Sequence, residues 1–446
     1  MRLNIALLAV FLSCALASAQ QAQLATNDPA LEKFHPVPTP QPAGLMLKKG
    51  DRLAICGDSI TEQKRYSRIM EDYLTMCVPE LKISVRQYGW SGEKAPGFLA
   101  RMTNDCLRFK PTIATTCYGM NDHEYRDYEE RIGRTYRSNS LAILEAFKAN
   151  GVRVVQGSPG CVGKVPAWHK SSNTVEDLNL NLCNLRNIGV ELAQREKDGF
   201  ADVFWPMLTA GVAAQRQYGA DYAISGRDGI HPGWAGHTIM AYAFLKALGL
   251  NGEIGVLTVD LERRKMTASK GHKVLSAKDG NYTIESSRYP FCACLDEAQA
   301  KAGYPPCGTN DLASDNTIRS GMALVPFNSD LNRFLLVGKK AQAANYKVTW
   351  GSEAQVFSAD QLAKGINLAA AFPHNPFCEQ FAKVDAAVAA KQAFETTQIK
   401  KRFHSPEGKT NMVAVVTATE QERDPLVAAV SAAFVPVTHA LTIAPE

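Results

Sequence analysis

Past its first twenty residues the sequence contains no apolar run long enough to cross a bilayer, which excludes a helical transmembrane anchor in that stretch. It has no Cys-x-x-Cys pair, so a zinc site built on the usual thiolate rhythm is excluded. It has no internal repeat, which excludes solenoid and propeller architectures. Charge of one sign is never sustained: a net charge of +5 is spread over 446 residues, and the basic clusters Arg263 to Lys265 and Lys400 to Arg402 are brief. They read as solvated faces, and no nucleic-acid partner is expected.

What is present begins with an export signal. Arg2 precedes the apolar run Ile5 to Leu16, and Ala17-Ser18-Ala19 fits a cleavage site, so residues 1–19 read as a secretory signal peptide. Cys14 would make a lipoprotein only behind a poor lipobox, Phe11-Leu12-Ser13. Ten of the eleven cysteines follow Cys14, an even number behind an export signal, so disulfides are expected. Cys161 with Cys183, and Cys307 with Cys292 or Cys294, are candidate local pairs, and spacing alone does not fix the connectivity; Cys56 and Cys117 could equally be small buried fillers.

Residues 20–45, rich in Pro, Gln and Ala, read as a flexible lead-in. From 46 to 250 short apolar runs alternate with helical stretches. Strands are expected at Leu53 to Cys56, Leu81 to Val85, Ile113 to Cys117, Val152 to Val155 and Ala201 to Phe204. Helices are expected at Tyr66 to Met76, Tyr136 to Ala149, Val175 to Lys197 and Gly233 to Leu248. This alternation implies an α/β fold, a parallel sheet covered by helices on both faces, with ligands beyond the carboxyl ends of the strands. Residues 251–365 read as β-rich, with clean alternation through Tyr346, Val348 and Trp350. Trp350 and Tyr346 read as core rather than as a sugar platform. Residues 366–446 read as helical. Ser358 and Gln361 form a capping-box spacing, and Asn375-Pro376 reads as the start of a long helix burying Phe381, Val384 and Val388.

The chemistry-bearing signal is Gly57-Asp58-Ser59-Ile60-Thr61, placed between an apolar strand and a helix. Such a turn presents a serine hydroxyl as a nucleophile, although the same residues also cap helices. A serine needs a base, usually histidine held in one tautomer by a carboxylate. Asp228-Gly229-Ile230-His231-Pro232, just before a helix, offers that pair. His123 is the rival base, and His237 reads as packed or on the surface. Developing charge on a carbonyl oxygen needs donors. Gly92 follows the second strand and Asn121 the third, with Gly89 as runner-up to Gly92.

These blocks, in the order serine, glycine, asparagine, then aspartate and histidine, resemble the SGNH hydrolases, also called the GDSL esterase and lipase family. The resemblance covers about Lys48 to Leu250 and implies a three-layer α/β/α, flavodoxin-like domain. It implies Ser59, Asp228 and His231 as catalytic residues, and Ser59, Gly92 and Asn121 as the oxyanion hole, with no metal or organic cofactor. Gln87 and Glu93 stand where the family often has Asn and Asp, and Ile60 replaces the Leu of the family name. The C-terminal half looks like the extension of some large secreted bacterial members. Together these readings lead to a secreted serine ester hydrolase acting on a small-molecule or polysaccharide ester, with O-acetylated carbohydrate foremost. A lipase-type acyl hydrolase and a non-catalytic glycan-binding protein are the alternatives.

Overall fold

The computed structural model describes residues 28–169, 172–293 and 312–446. The expected signal peptide, Cys14, Cys294 and Cys307 lie outside these residues. The first half is a parallel sheet in the order β2-β1-β3-β4-β5, the flavodoxin-like order. Its strands are β1 (Arg52–Gly57), β2 (Ser84–Gln87), β3 (Ile113–Cys117), β4 (Arg153–Gly157) and β5 (Gly199–Ala201). Period-two alternation in β1 sends Leu53 and Ile55 into one core and Ala54 and Cys56 into another, all almost fully buried. A strand apolar on both faces must be covered on both.

The helices that do this are α1 (Ser59–Glu62), α2 (Tyr66–Met76), α3 (Ala95–Asp105), α4 (Glu130–Ala149), α5 (Val175–Glu196), α6 (Phe204–Tyr218) and α7 (Trp234–Ala247). Two strand expectations shift. The second runs Ser84–Gln87, because Pro79–Leu81 forms a 3₁₀ turn before it. The last ends at Ala201, because the apolar run continues into α6. Gly233 is the N-cap of α7, so Pro232 lies just outside that helix.

The lead-in is docked rather than flexible from Asp28 onward. Leu31 and Phe34 are buried, Phe34 lies 6.2 Å from Phe204, and Arg216 pairs with Asp28. Neither Cys161 nor Cys183 is in a disulfide, which overturns that expected pair. Cys161 instead lies 3.3 Å from the Ser225 hydroxyl in the core. Cys292 is also a buried free thiol.

The second half adds two sheets. One has the order β13-β10-β6-β7, formed by β6 (Glu253–Asp260), β7 (Lys265–Ala268), β10 (Arg333–Lys339) and β13 (Ile366–Asn367). The other has the order β12-β11-β14-β9-β8, formed by β8 (His272–Lys278), β9 (Asn281–Ser286), β11 (Asn345–Trp350), β12 (Glu353–Ser358) and β14 (Val437–Pro445). β14 thus returns to the middle of a sheet begun far upstream, pairing Val437 with Ser286 on one side and Leu441 with Trp350 on the other. Ser358 and Gln361 form the expected capping box. Trp350 and Tyr346 are buried, which removes them as a sugar platform.

Two long helices, α8 (Cys378–Thr397) and α9 (Met412–Ala433), pack together, and α8 also packs on α2. α8 begins at Cys378 rather than at Pro376; Asn375 Oδ1 accepts the Phe377 N–H, a turn that precedes the helix. Phe381, Val384 and Val388 are buried as expected, in the same core as Leu53 and Tyr73. No helix among the described residues is long and apolar enough to cross a membrane.

Candidate active site

The turn after β1 is tight for a stated reason. A Cβ on Gly57 would lie 2.1 Å from Thr61 Oγ1 and 2.9 Å from the Cys117 carbonyl, so only glycine lets the strand end this close to both. Asp58 then caps α1, its Oδ1 accepting the Ile60 N–H at 2.9 Å. Burial pushes the Asp58 carboxyl up to about 7. Ser59 follows as the first residue of α1, where a backbone N–H has no helical acceptor.

The Ser59 hydroxyl lies 2.8 Å from His231 Nε2. His231 Nδ1 in turn lies 2.8 Å from Asp228 Oδ2. A carboxylate only accepts, so Nδ1 carries the proton and Nε2 is left to accept from Ser59. The second Asp228 oxygen accepts the backbone N–H groups of Ile230 and His231, both at 2.9 Å, which folds the Asp-Gly-Ile-His turn back on itself. Burial works to raise the Asp228 carboxyl, but these two N–H groups and the imidazole hold it below the usual range. An ionised Asp228 can stabilise an imidazolium, and the chain of three can take the proton from a serine attacking an electrophile.

His123, the rival base, is fully buried. Its Nδ1 donates to the Met120 carbonyl, and burial pushes the imidazole down to about 4. His237 is buried as well, accepting the Tyr66 N–H and donating to Gln63 Oε1 at 2.8 Å. It steadies the loop after α1 rather than meeting Ser59.

Gly92 and Asn121 sit in the loops after β2 and β3. Gly92 has φ +73°, and a Cβ placed there would meet nothing within 4 Å, so it faces open space. Its N–H has no acceptor among the described residues. Gly89 is different: a Cβ there would strike the Glu62 backbone, and its N–H donates to Gln87 Oε1, so it packs the loop. Asn121 Nδ2 donates to the Glu93 carbonyl at 3.1 Å, and the Tyr125 hydroxyl donates to Asn121 Oδ1 at 3.1 Å. One Nδ2 hydrogen remains unused. Asp122 ties this loop to α3 by accepting from Gly119 and Ala95. Glu93, in the place of the family's Asp, is engaged by Arg101 and the Tyr118 hydroxyl.

Two neighbours are not visible in the blocks. Trp168 is 55% exposed, with its ring 6.1 Å from that of His231 and edge-on to Tyr125. Lys400, expected on a solvated face, instead pairs with Glu62 at the end of α1. Among the described residues no cluster of His, Cys, Asp or Glu is grouped to hold a metal ion.

Comparison with known proteins agrees with this arrangement of elements. Residues 55–239 match the GDSL-like Lipase/Acylhydrolase family. The chain is 23% identical over 223 residues to an acetylxylan esterase of Geobacillus stearothermophilus, covering 46% of this chain and 97% of that protein. The solved structure of an acetylxylan esterase from the same organism is 20% identical, with a TM-score of 0.39 over 46% of this chain and 97% of that one. A solved gut microbial diltiazem-metabolizing enzyme is 22% identical, with a TM-score of 0.68, and spans 92% of this chain and 99% of its own. The fold of both halves, not only the α/β layer, therefore recurs in that protein.

Proposed function

We propose that the chain, whose residues 55–239 match the GDSL-like lipase/acylhydrolase family, hydrolyses carboxylic esters through an acyl-serine formed on Ser59. The observation that carries this reading is the continuous chain of two 2.8 Å hydrogen bonds from Ser59 Oγ through His231 to Asp228. Ser59 attacks the acyl carbonyl carbon while His231 Nε2 takes its proton, and Asp228 stabilises the imidazolium. The oxyanion is met by the N–H groups of Ser59 and Gly92 and the free hydrogen of Asn121 Nδ2. The tetrahedral intermediate collapses, and the alcohol leaves with the proton held by His231. A water, deprotonated by the same imidazole, then releases the acid and restores Ser59.

The substrate class we propose is an O-acetyl group on a carbohydrate, met outside the cell if residues 1–19 direct export. The acetylxylan esterase relative supports it. So does Trp168, an exposed indole beside His231 that suits the C–H face of a sugar ring better than a free acyl chain. The test is acetate release from a panel of acetylated polysaccharides, with Ser59→Ala as control. Release by the wild type and none by the variant is the expected result. Equal turnover by both removes Ser59 as nucleophile. Preference for octanoyl over acetyl nitrophenyl esters moves the substrate to long acyl chains. No reaction of the folded protein with a serine-directed fluorophosphonate points to a binding protein.

A further inference from the structure

We propose that Lys400, from the C-terminal half, is a positioning residue for the reaction, acting through Glu62 to hold the loop that carries the Gly92 N–H. This rests on the reading of Gly92 as an oxyanion donor. Gly92 is exposed, has φ +73° and makes no backbone bond of its own through its N–H, so its place is set by its neighbours. The nearest is Ser91, whose N–H donates to Glu62 Oε2. Glu62 closes α1, the helix that Ser59 opens. Both its oxygens also accept from Lys400 Nζ, at 2.9 and 2.8 Å. One carboxylate thus joins the nucleophile's helix, the donor loop and the C-terminal half.

The rest of the loop leans the same way. The Gln87 N–H donates to Glu395 Oε2 at 3.1 Å, and Gln87 Nε2 donates to Thr396 Oγ1 at 2.6 Å. The Trp90 ring has Lys400 Nζ 5.2 Å from its centre and the His404 ring edge-on at 4.9 Å. Lys400 lies in a π-helical turn, Gln398–Phe403, that continues α8. Such wide turns are rare and frequently lie at functional sites. Here Ile399 and Phe403 enter the core beside α3 while Lys400 points at Glu62. The pair is about three-quarters covered, with side-chain exposures of 26% and 20%, so solvent screens it less than a surface ion pair. Burial raises the Glu62 carboxyl, but Lys400 and Ser91 hold it below its ordinary value, so it is ionised at neutral pH.

The experiment uses the full chain and an acetyl nitrophenyl ester, with kcat, KM and melting temperature measured for Lys400→Met, Lys400→Arg, Glu62→Gln and Ser59→Ala. Lys400→Met should lower kcat about tenfold, as expected for a small misplacement of a donor, with KM within about twofold. Lys400→Arg should recover most of that loss. Wild-type kcat in Lys400→Met, a matching rise in KM, or no rescue by arginine overturns the proposal. If Lys400→Met does not fold, Glu62→Gln decides: it keeps an acceptor for Ser91 but loses the charge, and wild-type kcat there overturns the proposal. An inactive Ser59→Ala enzyme beside a fully active Lys400→Met enzyme leaves the acyl-serine reading standing while this one fails. An active Ser59→Ala enzyme removes the acyl-serine reading itself.

Discussion

Asn121 is held from two directions, by the Glu93 carbonyl and the Tyr125 hydroxyl, so its amide is oriented before any substrate arrives. Asn121→Ala should therefore lower kcat by about 10²–10³ with little change in melting temperature. Tyr125→Phe keeps the amide and loses only one tether, and should cost less than about tenfold. Steady-state kinetics on one acetyl ester checks both, and equal losses would mean Tyr125 does more than orient. Trp168→Ala should raise KM for an acetylated oligosaccharide and leave that for ethyl acetate unchanged. At this scale legibility followed sequence distance. Ser59, Asp228 with His231, Gly92 and Asn121 stand in short blocks whose residue types are those the proposed chemistry calls for. Glu62 and Lys400 are separated by 338 positions, and Trp168 sits in an unremarkable loop, so nothing local marks them. The expected Cys161–Cys183 bridge failed for a related reason: spacing does not tell a disulfide from two thiols that each fill a core.

At the scale of elements, apolar period and caps predicted β3 and α2 with their observed bounds, because each is bracketed by turn residues. Boundaries slipped where one apolar run served two elements, as at Ala201 to Phe204. A buried polar chain in the C-terminal sheets carried no sequence signal at all. The Trp350 Nε1–H donates to His439 Nδ1 at 3.1 Å, so His439 Nε2 donates to Ser286 Oγ at 3.0 Å. Ser286 then donates to His272 Nδ1 at 2.8 Å, and His272 Nε2 donates to the Ile254 carbonyl at 3.1 Å. Every nitrogen is used by a neutral ring, and burial pushes His439 down to about 3. The unfolded chain binds a proton there below about pH 6.5 and the fold refuses it, so stability from His439 is lost as pH falls through that window. Buried Asp58 and Asp122, pushed up to about 7 and about 6, bend the whole-protein curve the other way. The clean measurement is the difference from a His439→Gln variant, which does not titrate. The wild type's advantage in urea unfolding should shrink by about 2 kcal/mol between pH 7 and pH 5. A constant difference would mean the network is already charged.

For the whole molecule, one apolar core runs from Leu53 and Tyr73 through Phe244 to Phe291, Trp350 and Phe381, without a seam between the halves. Buried ions cross the same boundary: Lys391 lies 3.1 Å from Glu71 and 2.8 Å from Glu395, and Arg68 pairs with Asp385. Removing one side of such pairs strands the other in the interior, at a cost of about 3–5 kcal/mol each. A chain stopped at Leu250 should accordingly lose most of its soluble yield, and what stays soluble should label poorly with fluorophosphonate. A soluble, fully reactive fragment would instead make the second half an independent module. The parallel sheet was foreseeable, because strand and helix alternate within it; this shared interior was not, since its partners lie hundreds of residues apart. The placement of β14 bears on how such a chain reaches its final state during synthesis. Until Val437–Pro445 has been made, β9 and β11 each present an open edge toward the gap between them, the kind of edge that recruits other chains. The interval between making those two strands and closing that gap is when the nascent chain is most exposed to aggregation, and a chaperone would matter most then.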